Sequence, residues 1–342
     1  MSNQETIRIG IIGAGKNTRD RHIPGLRAME NVEIVSVANS SLESSQRVAD
    51  AFNIPKVYEN WRDLVNADDT NAIVIGTWPY MHHPITLAAL HAGKHVMVEA
   101  RMAMNATEAK EMATLSSQHP ELITQIVASP MTLHLDNTIK RLITEGYLGD
   151  ILAIDVRVNG NFADYDAPMH WRDDAKLSGM NIMSMGIWYE ALMRWVGTAK
   201  TVMALGKTVV KMRKNDQGIL TTVTVPDHVH IIGEMVCGAQ LSMSLSSVTG
   251  LAGDGGAFLY GTEGTLQIRG GKLFGGKRGD TELSEIEIPE GENGGWRVEE
   301  EFIQAIRGQE PITHTTFNDG LAYMQFTEAV HRSMSSRKMI SL

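Results

Sequence analysis

The sequence predicts two domains: an α/β domain with a doubly wound parallel sheet over residues 1–125, then an α+β domain with a large open, mostly antiparallel sheet over residues 126–342. Two observations lead to this prediction. In the first third of the chain, short apolar runs alternate with amphipathic segments at the spacing of βαβ units. Beyond residue 125, strand-like segments joined by glycine-containing turns follow one another between helical patterns. The length of 342 residues suits two such domains.

The first domain alternates strands and helices in regular order. Apolar runs predict strands at residues 7–15, 32–39, 72–79, 95–100 and 122–129. Amphipathic stretches predict helices at residues 24–31, 41–53, 83–94 and 105–119. Ser41 stands where it can cap the second helix, because a serine side chain accepts a hydrogen bond from a free backbone N–H of the first turn.

The second domain has a different order of elements, with runs of strands between helices. Helices are predicted at residues 138–149, 181–197, 296–308 and 319–334. Strands are predicted at residues 151–161, 201–212, 219–225, 228–238, 239–250, 256–264 and 265–271. Consecutive strands with short connections favour antiparallel pairing, which is why an open antiparallel sheet is expected.

Composition and charge exclude several classes of partner. The net charge of −9 includes no basic patch, so we expect neither nucleic acid nor a membrane surface as partner, and a small-molecule substrate instead. The amino terminus lacks the pattern of a secretory signal and no apolar run approaches a membrane span, so a cytoplasmic location is expected. A single cysteine, Cys237, and the isolated His82–His83 pair give no ligand set, so no metal is expected.

A glycine pattern marks the first strand-to-helix turn. Gly13 and Gly15 match the first two glycines of G-x-G-x-x-G, which permit a tight turn and let the backbone approach a pyrophosphate. Lys16 and Asn17 follow, and Thr18 occupies the place of the third glycine. The strand before the turn and the helix after it favour dinucleotide binding by this segment over a glycine turn with no ligand.

The end of the second strand bears on the choice of dinucleotide. An NAD site usually has an acidic residue here for the ribose hydroxyls, whereas this chain has Asn39, Ser40 and Ser41. Without a carboxylate a 2′-phosphate is not repelled, and a positive charge could come from Arg19, Arg21 or Arg47. We therefore predict NADP. The alternative is that these residues only cap the helix and that NAD binds through the amide.

The chain resembles the glucose-fructose oxidoreductase, inositol dehydrogenase and rhizopine catabolism family (Gfo/Idh/MocA) over nearly its whole length. The resemblance rests on four stretches: GIIGAGKNTRDRHIPGL, VIGTWPYMHHPITLAALHAGKHVMVEA, WRDDAKLSG and GIWYEALMRWVG. It implies an amino-terminal Rossmann domain, a carboxy-terminal α+β domain whose open sheet carries subunit contacts, and a homo-oligomer, either dimer or tetramer. It also implies NAD(P)-dependent oxidation or reduction of sugars, cyclitols or their derivatives.

The same resemblance implies roles for individual residues. Thr77, Trp78 and His82 would border the cofactor. Glu99 matches the acid of the family's Glu-Lys-Pro motif and is expected to contact the cofactor as well. The lysine of that motif, a usual partner in hydride transfer, is Ala100 here, and the proline is Arg101. The helix that carries an aspartate and a histidine in many relatives has Ser184 and Trp188 in their places, with Ala191 at a further aspartate position.

Other side chains must then do the chemistry. Arg101 stays protonated, so it suits charge stabilisation and substrate anchoring; the alternative is an interdomain salt bridge. The stretch NFADYDAPMHWRDD offers His170 as general acid/base, although a surface-loop histidine is the competing interpretation. Substrate contacts are expected from the same stretch and from the altered helix, at Tyr165, His170, Trp171, Arg172 and Trp188. The methionines beside Trp188 are better explained as core.

Three function classes remain open. The first is an NAD(P)-dependent oxidoreductase acting on a sugar, a cyclitol or a sugar acid. The second is a lyase or glycosidase that uses the dinucleotide transiently. The third is a dinucleotide-binding sensor without catalysis.

Overall fold

The protein is described here by a computed structural model that covers residues 6–342. The expectation about a secretory signal depends in part on residues 1–5, which lie outside the described residues. The chain forms two compact units. The first contains the residues up to Ala128 together with Arg297–Leu321, and the second contains Ser129–Trp296 and Ala322–Leu342. No helix within residues 6–342 has the length and apolar character needed to cross a bilayer.

The first unit contains a six-stranded parallel sheet flanked by helices. Its strands are β1 (Ile7–Ile12), β2 (Val32–Ala38), β3 (Lys56–Val57), β4 (Ala72–Ile75), β5 (His95–Val98) and β6 (Thr124–Ile126). The helices between them are α1 (Ile23–Arg27), α2 (Leu42–Phe52), α3 (Trp61–Val65), α4 (His82–His91) and α5 (Ala106–Gln118). The strand order β3-β2-β1-β4-β5-β6 confirms the doubly wound prediction. β3 and α3 were not predicted, because both are too short to show a period.

The strand order places a crevice at one position in this sheet. From β1 the chain winds outward through β2 and β3, then returns to the other side of β1 for β4, β5 and β6. Helices after β1 and β4 therefore diverge at the carboxyl ends of these strands, where open α/β sheets bind their ligands.

The turn after β1 packs tightly against the end of β4. Gly13 has a φ of +84°, which favours glycine. A Cβ on Gly76 would lie 2.2 Å from the Gly13 carbonyl oxygen and 2.2 Å from the Thr18 hydroxyl. Thr18 is buried where a third glycine was expected, and its hydroxyl donates to the Gly13 carbonyl at 3.4 Å. The close packing of this turn thus depends on Gly76 rather than on a third glycine in the motif.

The second unit contains a nine-stranded sheet and several helices. Its elements before residue 290 are α6 (Leu133–Thr144), β7 (Ile151–Val158), α7 (Ala175–Ser178), α8 (Met185–Val196), β8 (Ala199–Lys207), β9 (Met212–Lys214), β10 (Leu220–Thr222), β11 (His228–Met235), β12 (Gln240–Ser246), β13 (Gly256–Gly261), β14 (Gly264–Arg269), β15 (Lys272–Lys277) and β16 (Ser284–Ile286). The chain ends with α9 (Val298–Ile306), α10 (Phe317–Ser336) and β17 (Ile340–Ser341).

The nine strands are ordered β16-β15-β14-β13-β7-β12-β11-β8-β17. Only β12 and β7 pair in parallel, so the prediction of a mostly antiparallel sheet is confirmed. β9 and β10 form a separate hairpin. The prediction missed β15, β16 and β17, whose residues include several glycines and charged side chains.

A buried ionic cluster joins α6 and α8 within the second unit. Arg194 donates to Asp136 at 2.7 Å and to Glu190 at 2.8 Å. Asp136 also accepts the indole N–H of Trp195 at 2.7 Å, and Glu190 accepts the Ser129 amide at 2.9 Å. Glu190 is therefore a structural residue of this helix pair, buried and paired.

The returning segment 297–321 belongs to the first unit, whereas a single boundary after residue 125 assigned it to the second domain. Backbone hydrogen bonds explain the difference: the Ile126 amide donates to the Thr315 carbonyl at 2.9 Å, and the Thr315 amide donates back at 3.2 Å. Residues 314–316 thus extend the edge of the sheet beyond β6. Nothing in the local sequence pattern indicates a partner so distant along the chain.

A second link between this segment and the sheet is a buried histidine. His22 is fully buried, with Nδ1 2.5 Å from Glu299 on α9 and Nε2 2.9 Å from Glu99 at the end of β5. Burial disfavours a charged imidazole, but hydrogen bonds to Glu299 and Glu99 outweigh it and raise the pKa of His22 to about 9. His22 is therefore an imidazolium at neutral pH, held between two carboxylates.

The free energy of unfolding is expected to fall as the pH rises from 6.5 to about 9. The folded state binds the His22 proton with a pKa of about 9, whereas the unfolded chain binds it with a pKa near 6.5. The resulting stabilisation is complete below the unfolded value and is lost as the pH rises through the folded one, by at most about 1.4 kcal/mol per pH unit. Urea unfolding at several pH values measures this slope.

Glu299→Gln is the matched variant, because it removes one of the two carboxylates that raise the pKa of His22 while preserving side-chain volume. We expect a flatter dependence of the unfolding free energy on pH in this variant. Equal slopes in the two proteins would contradict the charge assigned to His22.

Candidate functional site

A cleft of about 330 Å³ opens in the first unit where β1, β2 and β4 end. Six residues singled out from the sequence line it: Gly13, Gly15, Asn39, Ser40, Thr77 and Trp78. The remaining lining consists of Ile12, Ala14, Ala38, Ser44, Trp61, Gly76, Tyr80, Met81 and Ile85. The cleft thus has a glycine turn at its base and three aromatic side chains on its walls.

The amide of Asn39 is committed to the protein. Its oxygen accepts the Ala14 N–H at 2.8 Å, and its nitrogen donates to the Ser44 carbonyl at 3.1 Å. Ser41 caps α2 by accepting the Ser44 N–H at 3.2 Å, as predicted. Ser40 is exposed and lines the cleft. The edge of the cleft at β2 is therefore neutral, and Ser40 offers its hydroxyl there.

The other residues of the glycine motif lie outside the lining. Lys16 is exposed and pairs with Asp20. Asn17 donates its side-chain N–H to Glu99 at 2.6 Å. Helical backbone begins at Lys16, directly after the glycine turn. The amides of Gly13, Ala14 and Gly15 donate to the Ala38 carbonyl, the Asn39 side chain and the Gly13 carbonyl, so the turn is held by its own hydrogen bonds. The side chains of Lys16 and Asn17 make contacts outside the cleft.

Glu99 has its carboxylate engaged on both oxygens. Oε1 accepts from His22 and Asn17, and Oε2 accepts the Ala100 N–H at 3.2 Å. Burial alone would raise the pKa of Glu99, but the hydrogen bond and charge of His22 hold it below its usual value. Glu99 is consequently an anion whose role is to fix the segment that follows β5.

His82 braces two loops rather than lining the cleft. It is completely buried, with Nε2 2.9 Å from the Thr77 carbonyl and Nδ1 3.0 Å from the Arg101 carbonyl. Burial lowers its pKa, against the two carbonyl contacts that favour protonation. Because it has no exposed surface, His82 does not reach a ligand in this conformation, and the contact with the cofactor expected from the sequence is replaced by support of Thr77.

Arg101 follows the end of β5 at the same edge of the sheet. It is only 5% exposed, and the Ala100–Arg101 peptide bond is cis. His82 joins the Arg101 backbone to Thr77, which lines the cleft. Arg101 is thus anchored at the carboxyl end of the parallel sheet, as its position in the sequence predicted.

No sequence pattern indicates Trp61 as a residue of the cleft. It is the first residue of α3 and lines the cleft beside the glycine turn. The helix has only five residues, too few for a hydrophobic period. The one local sign of this helix in the sequence is Asn60, whose side chain caps the helix by accepting the Arg62 backbone N–H at 2.9 Å. An asparagine before an aromatic residue is a helix-start signal that indicates no ligand.

In the second unit, a short helical turn holds His170, Trp171 and Arg172 together. Nδ1 of His170 accepts the Arg172 backbone N–H at 3.2 Å, and the Asp173 carboxylate accepts the backbone N–H of His170 at 3.1 Å. The Arg172 guanidinium lies 4.1 Å from the centroid of the Trp171 ring. Partial burial and the charge of Arg172 lower the pKa of His170. The ring is therefore neutral at pH 7, with its proton on the other nitrogen, Nε2.

The two remaining predicted substrate contacts are placed differently. Tyr165 is 64% exposed, in the irregular stretch before this turn. Trp188 is 9% exposed on α8 and lines a cavity of about 240 Å³ with Met131, Gly255, Gly256 and residues 268–271. Part of the Trp188 side chain is therefore accessible from this cavity, whereas the neighbouring Met185 is fully buried in the core. Within residues 6–342, no cluster of three His, Cys, Asp or Glu side chains is arranged to hold a metal ion.

Two curated relatives share part of the sequence. Inositol 2-dehydrogenase of Serratia proteamaculans is 28% identical over 44% of this chain and 44% of its own length. Glucose-6-phosphate 3-dehydrogenase of Bacillus subtilis is 28% identical over 67% of this chain and 64% of its own length. The chain thus spans less than two thirds of each of these relatives.

Solved structures match the fold over nearly the whole chain. Levoglucosan dehydrogenase in complex with NADH and L-sorbose superposes with a TM-score of 0.87, at 21% identity and over 98% of both chains. An oxidoreductase domain protein from Kribbella flavida superposes with a TM-score of 0.86, at 19% identity and over 98% of this chain and 99% of that one.

Two family models match consecutive parts of the sequence. Residues 7–140 match the model described as "Oxidoreductase family, NAD-binding Rossmann fold", and residues 137–267 match the "GFO/IDH/MocA C-terminal domain". Together they cover the parallel sheet with its glycine turn and most of the second unit. The chain belongs to the Gfo/Idh/MocA oxidoreductase family.

Proposed function

We propose that this protein is an NAD(P)-dependent oxidoreductase acting on the CH–OH group of a sugar, a cyclitol or a sugar acid. The observation that carries the proposal is the cleft at the carboxyl ends of β1, β2 and β4, with Gly13 and Gly15 at its base. Named relatives act on inositol and glucose 6-phosphate, which favours net oxidation or reduction over transient redox use or a sensor role. A homo-oligomer in the cytoplasm remains a prediction from the sequence.

The residues of the cleft fit a dinucleotide. The helix after the glycine turn begins at Lys16, and the backbone amides of a helix start favour a pyrophosphate. When bound there, the cofactor supplies hydride chemistry at its nicotinamide ring. The neutral edge formed by Asn39 and Ser40 lacks the carboxylate that would repel a 2′-phosphate. On this basis we propose NADP as the preferred cofactor, with NAD as the alternative.

Two side chains are proposed to act on the substrate. Arg101 would hold a carboxylate or a developing oxyanion, because guanidinium stays charged and forms paired hydrogen bonds. His170 would donate its Nε2–H to the reacting oxygen, since Nδ1 already accepts the Arg172 N–H. Acting as a base through Nε2 would require moving the ring proton to Nδ1 and breaking that backbone contact. Tyr165, Trp171, Arg172 and Trp188 remain proposed substrate contacts.

Gly15→Ala is expected to leave the fold intact and to weaken dinucleotide binding roughly tenfold or more, which is about 1.4 kcal/mol. The added Cβ would lie 3.3 Å from the Gly76 carbonyl oxygen, but it would occupy space needed for a close pyrophosphate. Fluorescence titration with NADPH and NADH measures the dissociation constants. Gly291→Ala, which adds a Cβ in open space, is the control. Unchanged affinity in Gly15→Ala would contradict the proposed phosphate turn.

His170→Ala is expected to lower kcat by roughly tenfold or more, within the range of proton-transfer groups. Protonation of His170 keeps the Nε2–H donor but places a second proton on Nδ1, which breaks the Arg172 N–H contact that positions the ring. Because the pKa of His170 is lowered from 6.5, turnover is expected to be constant above pH 6.5 and to decline in more acid solution. Reduced-cofactor absorbance with myo-inositol, glucose 6-phosphate or levoglucosan provides the assay. His119→Ala is the control histidine. Wild-type turnover in His170→Ala would remove this residue from the mechanism.

Arg101→Lys is expected to raise KM for D-glucuronate by roughly tenfold while changing KM for myo-inositol far less. Lysine keeps the charge but loses the planar pair of donors that matches a carboxylate. Steady-state kinetics with both substrates measure the difference, and the unfolding free energy of the variant checks its fold. Equal changes for the two substrates would contradict anchoring of an anionic group by Arg101.

A further inference from the structure

An aromatic residue that lines the cleft is in contact with an arginine. Trp61 lines the cleft, and the guanidinium carbon of Arg62 lies 4.4 Å from the centroid of the Trp61 ring. Both residues are at the start of α3, which follows the short edge strand β3 next to β2. The Trp61–Arg62 pair therefore stands on the same side of the cleft as the end of β2, where Ser40 is exposed.

Arg62 differs from the other basic residues of this region in its ion pairing. Lys16 pairs with Asp20, Arg47 pairs with Glu43, and Arg19 donates to the Gly15 carbonyl at 3.4 Å. Among residues 6–342, no carboxylate forms an ion pair with Arg62, although Glu59 and Asp63 are close to it in sequence. The charge of Arg62 is thus uncompensated, and its side chain rests on the Trp61 ring.

An arginine in this arrangement is suited to a phosphate dianion. The guanidinium offers several N–H donors in a planar fork, and a phosphate accepts two of them at once. Stacking on an indole holds that plane in position before the ligand arrives, so less side-chain freedom is lost on binding. The indole itself offers a flat surface on which a purine base can stack.

We propose that Arg62, held on the ring of Trp61, selects a dinucleotide with a 2′-phosphate, and that Trp61 supports its adenine. This inference rests on the proposed function, because it requires a nicotinamide dinucleotide in the cleft. Ser40 supplies a hydroxyl on the same side, and the amide of Asn39 is turned into the protein, so neither opposes the phosphate. Arg62 thereby replaces Arg19, Arg21 and Arg47 as the expected counter-charge.

The test compares the dissociation constants of NADPH and NADH by cofactor fluorescence in the full-length wild type and in variants. Arg62→Ala is expected to raise the dissociation constant of NADPH by roughly tenfold or more and to change that of NADH by less than about twofold. The NADPH dissociation constant of Arg62→Lys should lie between those of the wild type and Arg62→Ala, because lysine keeps the charge but lacks the planar set of donors. Arg332→Ala, an exposed arginine of α10, is the control and should change neither.

Trp61→Ala is expected to weaken both cofactors, since both carry adenine, and Trp61→Phe should weaken them less. Circular dichroism melting curves check that each variant is folded. Because Arg62 is exposed, Arg62→Ala is expected to melt like the wild type.

The outcomes distinguish a failure of the inference about Arg62 from a failure of the proposed function. If the wild type binds NADPH and NADH but Arg62→Ala changes both equally or neither, the selection by Arg62 is overturned while the proposed function stands. A selective loss of NADPH in Arg47→Ala in place of Arg62→Ala overturns it in the same way. If the folded wild type binds neither cofactor, the proposed function and this inference both fail.

Discussion

The buried imidazolium of His22 is the interaction on which the arrangement of the first unit depends. It joins Glu99 at the end of β5 to Glu299 on α9, and so connects the sheet to a residue 200 positions later in the chain. Two carboxylates in this apolar setting would repel each other, and burial would force a proton onto one of them. With His22 charged, Glu99 stays an anion and holds Asn17 and the Ala100 amide.

This constraint shapes the chemistry available at the carboxyl edge of the sheet. Both carboxylate oxygens of Glu99 accept hydrogen bonds from the protein, so this residue is a poor candidate for proton transfer to a substrate. His82, buried beneath the cleft, joins Thr77 to the Arg101 backbone. The loops after β4 and β5 are thus fixed by buried hydrogen bonds. With Ala100 and Arg101 after it, Glu99 keeps its contacts with His22, Asn17 and the Ala100 amide.

Local hydrogen bonding also sets what His170 can do. A histidine in a surface loop could carry its proton on either nitrogen, and the sequence leaves that open. The cap formed with Arg172 and Asp173 makes Nδ1 an acceptor, which places the proton of the neutral ring on Nε2. The proposed role as a hydrogen-bond donor follows from this backbone contact rather than from the residue type.

The sequence by itself determined the two sheets, the glycine turn and the missing acid after β2, because periodicity, glycine spacing and residue chemistry are local properties. Only the tertiary structure decided that residues 297–321 join the first unit, that His82 joins two loops, and that Trp61 lines the cleft with the Arg62 guanidinium on its ring. Burial, charge pairing and strand order arise from contacts between residues far apart in the chain. A five-residue helix and a single buried histidine leave no periodic trace in the sequence that could reveal such contacts.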